Sequence, residues 1–248
     1  MGSNYKRTPL TLWSNNVRGL NIPEKRSQLL RTLWAERASV AFLQETHFQG
    51  AEAPTVRNGR YPTGFYANHP DVKKAQVAIL LSSTVPFICT EQKSDPGGRY
   101  IFIKGTIAQT TYTFACLYSP NRRQHVFLTK TLALLNKFRD GLLIVAGDLN
   151  TPLDSRLDTS RGETSMPGHC IRSTGRALAQ CGLADCWRVA NPEGRNYTFY
   201  SAVHQRYNQI DYILMAQEAL TLLQRANIGL IADSDHTPIT VQIQSPPT

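Results

Sequence analysis

Leu142-Leu143-Ile144-Val145-Ala146-Gly147-Asp148-Leu149-Asn150-Thr151-Pro152 runs from unbroken apolar sequence into a polar turn. The apolar part, Leu142–Ala146, fits a strand buried on both faces. The Gly-Asp-x-Asn that follows is ordinary turn chemistry, as compatible with a plain loop as with a site. Its weight comes from recurrence elsewhere in the chain.

Working outward, Leu10–Asn16 is a short apolar strand that ends on Asn16, with Gly19 just beyond. Ser39–Gln44 is another, followed by Glu45 in Leu43-Gln44-Glu45-Thr46-His47. Asp211 lies between Ile210 and Tyr212 in the apolar run Gln209–Met215, where a carboxylate needs a partner. Asp235 and His236 precede the alternating strand Pro238–Ile243. Singly, Asn16 reads as a turn residue, Glu45 as a surface residue and His236 as a structural histidine. If the strands share a sheet, their ends converge on one edge and form a polar cleft on rigid support.

Other strands are expected over Val77–Ser82, Pro86–Thr90, Arg99–Ala108, Thr111–Tyr118 and Thr198–Tyr200. The last of these joins Gln209–Met215 through a polar loop, His204–Asn208. Helices are expected from Pro23, with Leu29, Leu30, Leu33 and Trp34 on one face, and over about Arg123–Phe138 and Ile171–Cys181. Residues 49–72, rich in Gly, Pro and Asn, read as loop. Strands with helices between them indicate an α/β fold of layered sheets covered by helices. No linker divides the chain, which predicts one domain over 9–244 with flexible ends at 1–8 and 245–248.

The chain has 248 residues and a net charge of +9. Such a surplus suits a polyanionic partner through counterion release, although solubility alone also explains it. Cysteines number 5, with no C-x-x-C pair, so a structural zinc or a disulfide framework is not expected and a reducing compartment fits. No stretch reads as a membrane span or a secretory signal.

An acidic cleft in a basic protein suits phosphodiester hydrolysis. Carboxylates and amide oxygens are hard ligands for Mg²⁺, and the reaction needs an oriented water, neutralised phosphoryl oxygens and help for the leaving oxygen.

Taken in order, the motifs resemble a known family. They are Asn16-Val17-Arg18-Gly19-Leu20, Gln44-Glu45-Thr46-His47, Gly98-Arg99-Tyr100, Tyr118-Ser119-Pro120-Asn121, Gly147–Pro152, Tyr197-Thr198-Phe199-Tyr200-Ser201, Ile210-Asp211-Tyr212 and Ser234-Asp235-His236. The set resembles the apurinic-endonuclease-like endonuclease domain of LINE-1-like, Tx1-type non-LTR retrotransposons, in the exonuclease–endonuclease–phosphatase superfamily. The resemblance implies a four-layer α/β sandwich of the DNase I-like kind, two mixed sheets face to face with helices outside.

It also implies roles. Glu45 is the metal ligand, with Asn16 beside it (Asn15 competes for that place) and Asp235 as an occasional further ligand. Asp148 orients or deprotonates the attacking water and Asn150 holds it. His236 binds a phosphoryl oxygen, Asp211 pairs with His236, and Tyr118 aids the leaving oxygen. The implied cofactor is Mg²⁺, with Mn²⁺ able to substitute. The implied activity is nicking of one strand of double-stranded DNA to leave a 3′-hydroxyl that primes target-primed reverse transcription. The implied setting is a larger polyprotein with a reverse transcriptase, acting in the nucleus.

The expected DNA contacts are Arg122, Arg123, Thr198, Ser201, His204, Arg206, Tyr207 and Ser234, with the Ser201–Gln209 loop entering a groove. An exposed hairpin and a solvated helix start are equally plain explanations for these residues. The alternatives in function are an abasic-site repair enzyme or phosphatase of the same superfamily, and a non-catalytic DNA-binding module.

Overall fold

The computed structural model describes residues 9–48, 55–67, 76–230 and 235–245. The first strand, β1 (Leu10–Asn16), leads into helix α1 (Pro23–Ala35), and β2 (Val40–Gln44) returns parallel to β1. Pro23 fits the opening of α1 because the first helical position has no use for a backbone N–H. Three strands then follow: β3 (Thr63–Ala67), β4 (Val77–Leu81) and β5 (Phe87–Ser94). After them come β6 (Tyr100–Ile107), β7 (Thr110–Tyr118), helix α2 (Gln124–Phe138) and β8 (Leu142–Asp148). Helix α3 (Gly168–Gln180), β9 (Leu183–Asp185) and the short α4 (Cys186–Ala190) precede a small hairpin, β10 (Phe199–Ser201) and β11 (Arg206–Asn208). The chain continues through β12 (Asp211–Ala216), β13 (Leu223–Ile228) and β14 (Ile239–Ile243).

Two six-stranded mixed sheets result, ordered β13-β14-β1-β2-β4-β3 and β5-β6-β7-β8-β12-β9. Each contains one parallel pair, β1 with β2 and β7 with β8. The sheets pack face to face, with β1 against β8 and β12, and β2 against β7. Period-two alternation decides which side chains meet there. Leu12, Val40, Phe42 and Ile79 join Phe114 and Ile144 between the sheets. Their neighbours Trp13, Ala41, Leu43, Ala78 and Leu80 point the other way, onto Leu29, Leu30 and Leu33 of α1. On the far side α2 and α3 pack together, and α2 sends Leu128, Leu132 and Leu135 into the core. These are the expected four layers. No helix among the described residues is long and apolar enough to cross a membrane.

Several expectations need correction. Residues 49–72 contain β3, an edge strand whose Thr-Gly-Phe-Tyr-Ala sequence lacks an apolar run. The expected strand Gln209–Met215 starts two residues early, since β12 runs Asp211–Ala216, and His204–Asn208 is not wholly a loop. Arg206–Asn208 pairs within the hairpin, and β12 begins at Asp211 in the main sheet. Trp34 stays 39% exposed, beneath the Arg60 guanidinium at 4.2 Å rather than in the core.

Candidate active site

Strand register builds the site. Tyr118, Asp148 and Asp211 are direct partners on the adjacent strands β7, β8 and β12, so three polar side chains form a row at one sheet edge. On the facing sheet, Asn16 pairs with Gln44 at the ends of β1 and β2. Parallel pairing continues past those ends, with the N–H groups of Val17, Gly19 and Leu20 donating to the carbonyls of Gln44, Glu45 and Thr46. Glu45 is therefore held on ordered backbone although its φ is +54°, a left-handed conformation uncommon outside glycine.

The two edges are joined by one side chain. The buried Asn16 amide donates from Nδ2 to Glu45 Oε1 at 2.9 Å and to Asp148 Oδ2 at 3.0 Å, while its Oδ1 accepts the N–H of Arg18. Asn16, not Asn15, thus meets both carboxylates. It does so as a donor, while its Oδ1 faces the Arg18 N–H. Glu45 also receives hydrogen bonds from His47, 3.2 Å from Oε2, and from the Tyr118 hydroxyl. Burial works to raise the Glu45 pKa, but these hydrogen bonds outweigh it and lower it to about 2. Tyr118 is pushed above its usual range by burial and then by the Glu45 hydrogen bond, with the Arg99 guanidinium 5.7 Å over its ring.

Asp148 is fully buried. Its Oδ1 accepts the Asn150 N–H at 2.8 Å, and Asn150, in a left-handed turn, donates its own amide to the Ser119 carbonyl at 2.8 Å. Burial raises the Asp148 pKa, and the nearby Asp211 charge raises it further. His236 Nδ1 contacts Asp211 at 2.9 and 3.1 Å, and its Nε2 lies 3.9 Å from Asp148 Oδ2, an ion-pair distance rather than a hydrogen bond. Burial would lower the His236 pKa, yet the charge and hydrogen bond of Asp211, with Asp148 and Asp235 behind them, raise it to about 9. The imidazole is therefore cationic at neutral pH. Phe199 covers it with ring centroids 4.7 Å apart.

The remaining sequence-picked residues divide. Asp235 pairs with the Arg18 guanidinium at the rim. Thr198 is fully buried and touches no solvent, which removes it from the DNA contacts. Its Oγ1 instead accepts the N–H groups of Ile210 and Asp211, both at 3.1 Å, and so fixes Asp211. Thr237 N–H donates to the Thr198 carbonyl and Tyr200 N–H to that of Asp235, which clamps the hairpin beside His236. Arg122, Arg123, Ser201, His204 and Arg206 line one groove of about 610 Å³ that also reaches Asn150. Tyr207 is 45% exposed on the hairpin's other side, near Tyr197 and Tyr200. Ser234 lies outside the described residues. Sequence reasoning gave no role to His47, Arg18 or Arg99, although all three stand inside the quoted motifs.

Glu45 and Asp148 offer hard carboxylate oxygens on the two sheet edges, and Asp148, Asp211 and His236 present ligand atoms within 4.8 Å of one another. This donor chemistry suits a small divalent cation.

Residues 14–236 match the sequence profile of the Endonuclease/Exonuclease/phosphatase family. The chain belongs to that family. Within this endonuclease/exonuclease/phosphatase chain, 244 residues are 25% identical to the Transposon TX1 uncharacterized 149 kDa protein of Xenopus laevis. That match spans 96% of this chain and 18% of the transposon protein, and it bears out the Tx1-type resemblance read from the motifs. Among solved structures, the AP endonuclease LMAP of Leishmania major superposes with a TM-score of 0.80 at 17% identity, over 97% of this chain and 89% of that one. An AP endonuclease from Archaeoglobus fulgidus gives 0.74 at 18% identity, over 94% and 99%. The catalytic domain of Xenopus laevis APE2 gives 0.71 at 18%, over 95% and 92%. These likenesses establish the DNase I-like fold.

Proposed function

We propose that the chain is a Mg²⁺-dependent endonuclease that nicks one strand of double-stranded DNA. The observation that carries this reading is the Asn16 bridge between Glu45 and Asp148, with the cationic His236 facing Asp148. Glu45 would hold the cation, which supplies neutralisation of phosphoryl charge and help for the leaving oxygen.

The protein's own groups do the rest. Asp148, held by Asn16 and the Asn150 N–H, accepts a proton from the attacking water, a task suited to a carboxylate whose pKa is raised. Asn150 would help to hold that water. His236 donates to the phosphoryl oxygen that gains charge, and Asp211 keeps the ring oriented and charged. Tyr118 lies within hydrogen-bond reach of Glu45 and donates toward the leaving oxygen. The P–O3′ bond breaks and the strand ends in a 3′-hydroxyl.

The relative in a transposon protein supports a place in a larger polyprotein with a reverse transcriptase. There the 3′-hydroxyl would prime target-primed reverse transcription in the nucleus. The groove residues Arg122, Arg123, His204 and Arg206, and the net charge of +9, support a DNA substrate. Mn²⁺ is expected to substitute for Mg²⁺.

Supercoiled plasmid tests the proposal. Open-circle product with Mg²⁺, lost with EDTA and in Asp148→Ala and His236→Ala, is the expected result. Absence of product with Mg²⁺, or equal product with EDTA, refutes it. A strong preference for an oligonucleotide carrying an abasic site would redirect the reading to a repair enzyme.

A further inference from the structure

A second group of ligating side chains lies outside the nuclease centre. His125 is the second residue of α2, and His169 and Cys170 are the second and third of α3. Their ligand atoms all lie within 4.8 Å of one another. Cys170 Sγ is 3.3 Å from His169 Nε2, and the rings of His125 and His169 stand edge to face with centroids 5.5 Å apart. The buried Nδ1 of His125 has no hydrogen-bond partner among the described residues. An orphaned buried imidazole nitrogen beside a thiol and a second imidazole needs an account.

We propose that His125, His169 and Cys170 bind one Zn²⁺ ion. Two imidazoles and a thiolate suit a borderline-soft, tetrahedral cation and not Mg²⁺, which takes oxygen ligands. Glu45 and Asp148 at the nuclease centre offer oxygen and no sulfur, so the two centres select different metals. Three protein ligands leave a fourth position, filled by water, toward the groove that all three residues line. Arg122 and Arg123 line the same groove and oppose a cation, so the thiolate form of Cys170 is needed to hold it.

The consequence is mechanical. The ion would tie the first turn of α2 to the first turn of α3. His125 follows Arg122 and Arg123 directly, and Arg123 caps α2 in a left-handed conformation without a side-chain cap. Zinc there would order the start of the helix that the two arginines lead into. This inference stands whether or not the chain cuts DNA.

Co²⁺ substitution of the full chain in excess Mg²⁺ tests it. The expected result is one equivalent of Co²⁺ with tetrahedral ligand-field bands and a thiolate-to-cobalt charge-transfer band, displaced by Zn²⁺. Cys170→Ser should lose the charge-transfer band, while Cys89→Ser, at the half-buried cysteine of β5, should keep it. His169→Gln alters an exposed side chain and should weaken binding tenfold or more without changing the far-ultraviolet circular dichroism. It decides the matter if Cys170→Ser fails to fold. Absence of the band in the parent protein overturns the proposal. So does its survival in Cys170→Ser, or unchanged affinity in His169→Gln.

Discussion

His236 Nδ1 and the Asp211 carboxylate lie 2.9 Å apart, both removed from solvent, on strands of opposite sheets or their immediate approach. Burial disfavours the imidazolium, but Asp211 reverses this and lifts the His236 pKa from 6.5 to about 9. A folded-state value above the unfolded one means that the pair stabilises the fold in full below about 6.5. The contribution fades as pH rises through about 9. NMR of the imidazole should show it charged at pH 7 in the wild type. Asp211→Asn should bring the titration to 6.5 or below and remove the decline in stability between those limits. Nicking should fall on the order of 100-fold or more, the usual cost of one lost preorganised donor. An unshifted titration in Asp211→Asn would refute the coupling.

Thr198→Val separates a positioning role from a DNA contact. The substitution keeps the shape and removes the acceptor, leaving the Ile210 and Asp211 N–H groups buried without it. At about 1–3 kcal/mol for each orphaned group, stability should fall by about 2–6 kcal/mol. In a chain of this size that lowers Tm by roughly 4–24 °C. The turnover number should fall because Asp211 loses its anchor, and DNA affinity should hold. Thr198→Ser should restore both quantities in large part. Lower affinity with an unchanged Tm would instead reinstate Thr198 as a DNA contact.

The central strands and the polar residues at their ends were legible because a continuous apolar run admits few alternatives. Edge strands were not. Thr63–Ala67 and Leu223–Ile228 lack an apolar run and are paired on one side only, so their sequence carries a weak signal. The hairpin was misplaced because the break before β12 depends on the Thr198 hydroxyl, whose capture of two N–H groups is a tertiary event. The residues of the nuclease site were legible as types. Their partnership was not, since Asn16 and Asp148 meet across the gap between two sheets. For the same reason cysteine spacing gave no hint of His125, His169 and Cys170, which come from two helices.

Gly147 precedes Asp148 where β8 runs beside β7. An added Cβ would collide with the backbone carbonyl of Leu117, its register partner, and a backbone atom cannot rotate away. Gly147→Ala should therefore cost about 3 kcal/mol or more and displace Asp148, removing nicking in whatever folded protein remains. Gly175→Ala is the control. Its Cβ would meet nothing within 4 Å on α3, and alanine is the better helix former by about 1 kcal/mol. Chemical denaturation of both variants checks the pair, and equal stability would remove the steric argument.

Arg206 sits on β11 in the groove that also holds Arg122 and Arg123, at the rim of the nuclease centre and outside the Asp148–His236 group. A guanidinium there neutralises a phosphate of the bound duplex and releases about 0.9 of a counterion. Arg206→Ala should weaken binding similarly on all sequences and reduce the slope of log affinity against log salt by about 0.9. At saturating DNA, kcat should stay near the wild-type value, because none of the groups that touch the scissile phosphate has moved. Fluorescence anisotropy across a salt series, paired with plasmid nicking, measures both quantities. An unchanged salt slope would place the duplex outside this groove, while a collapse of kcat with intact binding would give Arg206 a catalytic role in place of an electrostatic one.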